Sequence, residues 1–534
     1  MRGPAGISYN STRFSLARYN GSLSFEAISK SRNASGTRPR EVLHSFCCKE
    51  RAFLDSAVSA AENSGSPRPL CVDLDGTLVK SDTLLDGLCH LVRRNPLGVF
   101  RIPLWIAGGR ARLKLEVARR APLQVARLPY NAELLRYLQE QRRNGREMYL
   151  ATGADGALAE QVAAHLGVFN GVLATSLKTN LTSTRKLERL QQTIGAFDYI
   201  GNSWADVPLL AKAGVAMVAN PTLALRLAIR LKRIPIARIF TDRISTGRVL
   251  LKALRVHQWA KNILLILPLL LSHKITPAGL LAVLKAFFCF SFIASVNYLI
   301  NDMLDIEADR RHPSKRLRPF AAGDLSVGGA LILAFLLMLA AIAILPTLPH
   351  AFILWLGLYI VAASAYTAQL KRIAVVDVLL LSGLYTLRLL AGGAATATPI
   401  SQWLASFSSF LFLSLAMVKR FSELENLRER GATATHGRGY LVADLEQIRS
   451  FGTASAYAAV VVFMLYIARP DVSELYHHPT RLWLIVPLLL YWLHRVWLLA
   501  SRGDLNEDPV VFAMRDRMSL LTGAGVLALA IFAA

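Results

Sequence analysis

Beyond Trp259 the chain carries nine apolar segments, centred near residues 266, 290, 335, 358, 384, 410, 457, 490 and 525. Each is close to the length that crosses a bilayer as a helix. They are hydrophobic on all faces and show no period-two alternation, so membrane helices are expected and barrel strands are excluded. No other feature limits the fold as severely, because a backbone inside lipid must satisfy its own hydrogen bonds. Charge is uneven between the segments. Connections holding Arg310–Arg318, Lys371 with Arg372, Lys419–Arg449 and Arg495–Arg517 alternate with connections offering only Lys274, Arg469 and Arg481. The excess of cations on alternate loops predicts a multi-pass protein of a cell (inner) membrane. The charged loops and the N-terminal half would be cytoplasmic, with the C-terminus outside.

The chain has a formal charge of +25 and is 53% hydrophobic. In a soluble protein that charge would point to nucleic acid, but here the cations sit beside apolar segments and no nucleic-acid fold signature accompanies them. The lipid bilayer and phosphorylated substrates are the expected partners. Five cysteines form no C-x-x-C pair and no disulfide-like spacing, which fits reduced thiols. Residues 1–66 are rich in Ser, Asn, Gly and Arg and read as a disordered basic tail, with an organelle transit peptide as the alternative.

Residues 67–222 change character. PLCVDLDGTLVKSD (69–82) reads as a buried strand that releases Asp73 and Asp75 at its C-terminal end. EMYLATGADG (147–156) is a second strand ending in Thr152, Lys186 opens a helix, and FDYIGNSWADVPLL (197–210) ends a third strand near Asp206. Strands alternating with amphipathic helices predict a doubly wound α/β domain with its site at the strand ends. The ordered set resembles the haloacid dehalogenase superfamily. That resemblance implies Asp73 as nucleophile toward phosphorus, Asp75 as acid and base, Thr152 and Lys186 as phosphate contacts, and Mg2+ on Asp73 and Asp206. Asn202 stands where many relatives carry Asp. The segment from about 80 to 130, with Trp105 and Lys114, is expected to be a helical cap or a membrane-facing patch. Residues 223–256, rich in Arg and Lys, read as a basic amphipathic linker lying on anionic lipid.

Residues 257–534 form the expected membrane domain, and NYLINDMLDIEADRRHPSKRLRPFAAGDLS (297–326) is its chemical centre. If the preceding helix continues, Asn301, Asp305 and Asp309 share one stripe, with Asp302 one step beside it. Stacked acids of this kind need cations between them, and Mg2+ shared with substrate phosphates meets that need. Lys315, Arg316 and Arg318 follow as phosphate contacts. The motif resembles the UbiA-type prenyltransferase superfamily. The tail HPSKRLRPFAAGDLS, with RVHQWAKN (255–262), YTAQLKRIAVVDVLLLSGLYTLRLLAGG (366–393) and RGDLNEDPVVFAMRDRMS (502–519), is similar to its decaprenyl-phosphate phosphoribosyltransferase branch, a source of cell-wall arabinan precursors.

The resemblance implies transfer of phosphoribose from phosphoribosyl diphosphate to a polyprenyl phosphate, with Asp305, Asp309 and Asp377 catalytic. Asn301, Asp302, Asp305 and Asp309 would hold the metal. Lys261, Asn262, Tyr366, Lys371, Arg388 and Lys419 would join the basic loop in binding substrate. An aromatic prenyltransferase using a polyprenyl diphosphate donor is the competing enzyme. A lipid-binding scaffold with two degenerate sites is the competing non-enzyme.

Overall fold

The computed structural model of the chain describes residues 67–175, 181–272, 275–429, 431, 439–470, 472, 476–505 and 508–533; the tail expected over 1–66 lies outside them. Strand β1 (Leu70–Val72) is buried at every residue. Strands β2 (Met148–Asp155), β3 (Gly171–Thr175), β4 (Asp198–Gly201), β5 (Ala216–Ala219) and β6 (Arg238–Phe240) complete an all-parallel sheet in the order β3-β2-β1-β4-β5-β6. A parallel sheet is covered on both faces, and β1 (LCV) and β5 (AMVA) are short unbroken apolar runs, while β4 (DYIG) buries Asp198 against Arg146. Strand order reverses at β1, which opens a crevice beyond the C-terminal ends of β1 and β4.

Helices α1 (Thr83–Arg94), α2 (Ile102–Ala107) and α3 (Arg110–Arg120) form an insert after β1, and α4 (Ala132–Arg143) leads into β2. Helices α5 (Gly156–Leu166), α6 (Thr184–Thr193), α7 (Val207–Lys212) and α8 (Leu223–Lys232) occupy the later crossovers. The expected doubly wound form is present. Its expected end at residue 222 is corrected. The sheet takes in Arg238–Phe240, with Met217 opposite Arg238 and Ala219 opposite Phe240, and α8 turns Leu225 and Ala228 into the core. Of the expected linker, only α9 (Thr246–Leu254) leaves the sheet, and its Ala253 joins an apolar cluster of the membrane half.

All nine apolar segments are helical. A short helical run over 256–265 leads into α10 (Leu267–Leu271), followed by α11 (Pro277–Leu304), α12 (Ile306–Arg311), α13 (Val327–Ile344) and α14 (His350–Ala368). Helices α15 (Val376–Ala395), α16 (Gln402–Glu429), α17 (Leu445–Ile467), α18 (Ile485–Ser501), α19 (Pro509–Ala513) and α20 (Arg517–Ala533) complete the bundle. Among the described residues seven helices are long and apolar enough to cross a membrane, and the segments 256–271 and 517–533 are shorter. The chain is an integral membrane protein.

The sheet domain and the bundle belong to one compact unit. Their junction is polar and specific. Arg310 in α12 is buried, donating from Nη2 to Asp86 in α1 at 2.6 Å and to Ser81 at 3.0 Å. Lys80 reaches Asp324 at 3.2 Å, and the Gln124 amide donates to Glu307 at 3.1 Å. Gly323, at φ +73°, lies so close that a Cβ there would sit 2.7 Å from that of Lys80. The motif loop is therefore clamped against the helical insert of the α/β domain.

Candidate functional site

The crevice at β1 gathers most of the residues expected there. Asp73 leaves the buried strand with its carboxylate in the fold, accepting from Lys186 Nζ at 2.7 Å and from Thr77 Oγ1 at 3.3 Å. The same ammonium lies 3.8 Å from Asp206. Asp206 is aimed by Tyr199, the amides of Asn202 and Ser203, and the Ser203 hydroxyl, at 2.8 to 3.1 Å. Burial pushes the Asp73 carboxyl up to about 6 despite Lys186, and pushes Asp75 up to about 8, with Asp82 adding to the effect. Asp75 accepts from the Thr83 amide at 2.8 Å, at the start of α1. Thr152 is fully buried and caps its own turn by accepting from the Ala154 amide. Asn202 packs its amide against Gly76, where an added Cβ would overlap it.

The expected cap is present. Helices α1 and α3 wall a cavity of about 300 Å³ beside Asp75, and Lys114 in α3 crosses it to donate to the Gly153 carbonyl at 2.6 Å. A carboxylate that keeps a proton, a second held by an ammonium, and a roofed cavity suit nucleophilic attack on a phosphomonoester.

In the membrane half the acidic motif departs from one straight helix. Helix α11 ends at Leu304, Asp305 takes φ −93° and ψ 7°, and α12 restarts at Ile306. Backbone bonds from Asp305 to Asn301 and from Asp309 to Asp305 persist, so the stripe survives a bend. Each acid has an arginine. Arg255 grips both oxygens of Asp302 at 2.6 and 2.8 Å, and Arg318 bridges Asp302 and Asp309 at 3.2 and 2.8 Å. Arg93, from α1, meets Asp305 at 3.2 Å. Lys371 stands within electrostatic reach of Asp305 and Arg93, and burial lowers its pKa. Lys315 and Arg316 are exposed on the loop.

A second cluster lies beside the first. Lys261 and Lys419 both donate to Asp508, at 2.8 and 2.9 Å, and the Tyr385 hydroxyl joins at 3.2 Å. The two ammoniums outweigh burial and hold the Asp508 carboxyl well below the usual range. Arg388 donates to Asn262 and to Tyr359, at 2.9 and 3.0 Å. Tyr298 stands between the clusters, with Arg255 stacked on its ring at 4.8 Å and Arg388 and Asp508 within electrostatic reach.

Asp377, in the first turn of α15, is held by partners of its own. It is fully buried, and its oxygens are taken by Arg420 and Tyr440, both at 2.5 Å. Tyr440 also accepts from the Val375 amide, which fixes that β-branched residue at φ +67°. Tyr366 is half-buried within electrostatic reach of Arg420 and Lys419.

Among the described residues no three His, Cys, Asp or Glu side chains stand close enough to chelate a metal. The donor sets nevertheless fit Mg2+ in kind. Asn301 with three aspartates, and Asp73 with Asp206, are hard oxygen donors, and arginine or lysine cations stand in among them. Sequence reasoning missed Asp508, Arg255, Arg93 and Tyr440. For Asp508 the one signal was its place in the quoted run RGDLNEDP, just ahead of Pro509 at a helix start.

The UbiA prenyltransferase family model matches residues 263–521. The uncharacterized protein y4nM of Sinorhizobium fredii is 37% identical over 463 residues, covering 85% of this chain and 89% of that protein. That alignment is much longer than the family match, so it takes in α/β sequence too. A decaprenyl-phosphate phosphoribosyltransferase of Mycobacterium tuberculosis is 32% identical over 278 residues, covering 50% of this chain and 88% of that protein. A UbiA homologue from Archaeoglobus fulgidus, solved with GPP and Mg2+, aligns with a TM-score of 0.41 at 16% identity, over 53% of this chain and 98% of that one.

Proposed function

The chain belongs to the UbiA prenyltransferase family, and we propose that it moves phosphoribose from phosphoribosyl diphosphate to a polyprenyl phosphate and then removes the 5-phosphate. An oxygen of the lipid phosphate attacks the anomeric carbon, the bond from that carbon to the diphosphate oxygen breaks, and diphosphate leaves. The acids at 302, 305 and 309 face the positive charge that grows on the ribose ring, while Lys371, Lys315 and Arg316 take up phosphate oxygens. Lys261, Lys419 and Arg388 form the base-rich counterpart suited to the acceptor phosphate.

In the α/β half, an Asp73 oxygen attacks phosphorus and the ester P–O bond breaks. Asp75 gives its proton to the departing alkoxide. Asp75 then takes a proton from water, whose oxygen releases inorganic phosphate from Asp73. Mg2+, when bound by Asn301, Asp302, Asp305 and Asp309 or by Asp73 and Asp206, would neutralise phosphate oxygens.

The observation that carries this two-step reading is α1, which touches Asp75 at one end and Asp305 at the other. The 5-phosphorylated ribosyl lipid made at the membrane site would emerge beside the α/β site, and tethering raises its effective concentration there. The test incubates full-length protein with Mg2+, phosphoribosyl diphosphate and polyprenyl phosphate, and reads the lipids by mass spectrometry. Wild type is expected to accumulate the ribosyl lipid without its 5-phosphate, and Asp73→Asn to stop one phosphate earlier. Asp305→Ala is expected to give no ribosyl lipid while still inserting in membranes. Near-normal transfer by Asp305→Ala overturns the membrane assignment. The same phosphorylated lipid from wild type and Asp73→Asn, without further turnover, overturns the phosphatase assignment.

A further inference from the structure

The insert that roofs the α/β site turns a strongly apolar surface outward. Between α1 and α3 the chain reads PLGVFRIPLWIA, and Leu97, Phe100, Leu104 and Ile106 are 75%, 78%, 69% and 57% exposed. Trp105 turns inward, under Arg120 and against Leu91, Leu113 and Val117, and Ile102 packs partly on the same cluster. Four large apolar side chains on so short a segment form a patch of the kind that marks a contact surface.

We infer that this segment, residues 96–107, inserts into the lipid headgroup layer and holds the cap of the α/β site on the membrane. Its position supplies the occupant. Arg93, three residues before Pro96, contacts Asp305 at the end of α11. At about 3.8 Å per residue, Pro96 lies within roughly 11 Å of the Arg93 backbone. Helix α11 has 28 residues; at 1.5 Å per residue it is about 12 Å longer than a hydrocarbon core of about 30 Å. Its charged end thus reaches the headgroup layer, and the apolar segment starts beside it. The rim complements anionic lipid, because residues 93–112 contain Arg93, Arg94, Arg101, Arg110 and Arg112 and no acid.

The inference rests on the phosphatase reading for its consequence and names that site's substrate class. The cavity beside Asp75 is walled by α1 and α3, the two helices that the inserted segment joins. A cap seated in lipid admits a phosphomonoester carried on a membrane lipid more readily than one diffusing in water.

The test uses full-length protein in phosphatidylcholine vesicles containing phosphatidylglycerol and a lipid with a photoactivatable acyl chain. After illumination, wild type is expected to carry label on residues 97–106 as well as on the spans. Phe100→Glu with Leu104→Glu is expected to lose the label there and keep it on the spans. A second arm measures hydrolysis of a lipid-anchored phosphomonoester and of p-nitrophenyl phosphate. The double variant is expected to lose about tenfold or more on the lipid substrate, with the soluble one unchanged, as two apolar side chains leave lipid. The milder Phe100→Ala with Leu104→Ala pair guards against misfolding, and unchanged phosphoribosyl transfer reports an intact membrane half. Unlabelled 97–106 beside labelled spans overturns the inference, as do cross-links from this segment to a second copy of the chain or equal loss on both substrates. Label present with neither substrate hydrolysed overturns the phosphatase reading and leaves the lipid contact standing.

Discussion

Arg93, in the last turn of a helix that belongs to the α/β domain, holds its Nε 3.2 Å from Oδ1 of Asp305 at the end of a membrane span. A cation from one domain thus completes the acid motif of the other. Arg93→Ala is expected to raise KM for phosphoribosyl diphosphate by about tenfold or more, the scale of one charge-assisted contact, and Arg93→Lys to restore part of it. Replacing the neighbouring exposed Arg94 by Ala is the control. An unchanged KM in Arg93→Ala would remove Arg93 from the site.

The Arg310–Asp86 pair is expected to hold the motif loop in place. Both side chains are 2% exposed, so Asp86→Ala strands a buried guanidinium at a cost of about 3–5 kcal/mol. Thermal unfolding in detergent should show that loss, together with lower phosphoribosyl transfer even though Asp86 lies outside the bundle. Asp86→Leu combined with Arg310→Met should recover stability. If the double variant is no more stable than Asp86→Ala, the two residues do not act as a pair.

Lys114 is expected to give the proposed phosphatase reaction a pH signature. Burial lowers its pKa, against the pull of Asp75 and Asp82. A lysine so shifted loses its charge at lower pH than an ordinary one, and with it some hold on a phosphate dianion. KM for p-nitrophenyl phosphate should therefore climb on the alkaline side in wild type and stay flatter in Lys114→Arg, which remains charged. Coincident profiles would exclude Lys114 from substrate binding.

Loop charge predicts the orientation of the bundle. A reporter fused after Ala534 is expected outside the cytosol, and one inserted near Ala432 inside it. Both on one side would mean an odd error in the number of crossings.

The parts legible in sequence are those encoded by neighbours in the chain. Unbroken apolar runs give the membrane helices, and β1 with Asp73 and Asp75 is a strand and its end. The acid stripe from Asn301 to Asp309 survives with a bend at Asp305. What stayed hidden depends on distant partners. Lys261 and Asp508 meet across 247 residues, and neither stretch names the other. Tyr440 is one tyrosine among many until Val375 and Asp377 are seen to share its hydroxyl. Strand β6 is three residues with two of them exposed, too short to announce that the sheet runs past residue 222.

Helix α1 has 12 residues, so it is about 17 Å from end to end. It works as a ruler between Asp75 and Asp305. Adding one residue inside it would turn its far end by about 100° and carry Arg93 off Asp305, while Thr83 kept its grip on Asp75. Its length, more than the identity of a solvent-facing residue such as Arg94, sets this spacing, so an insertion is expected to uncouple the two proposed reactions.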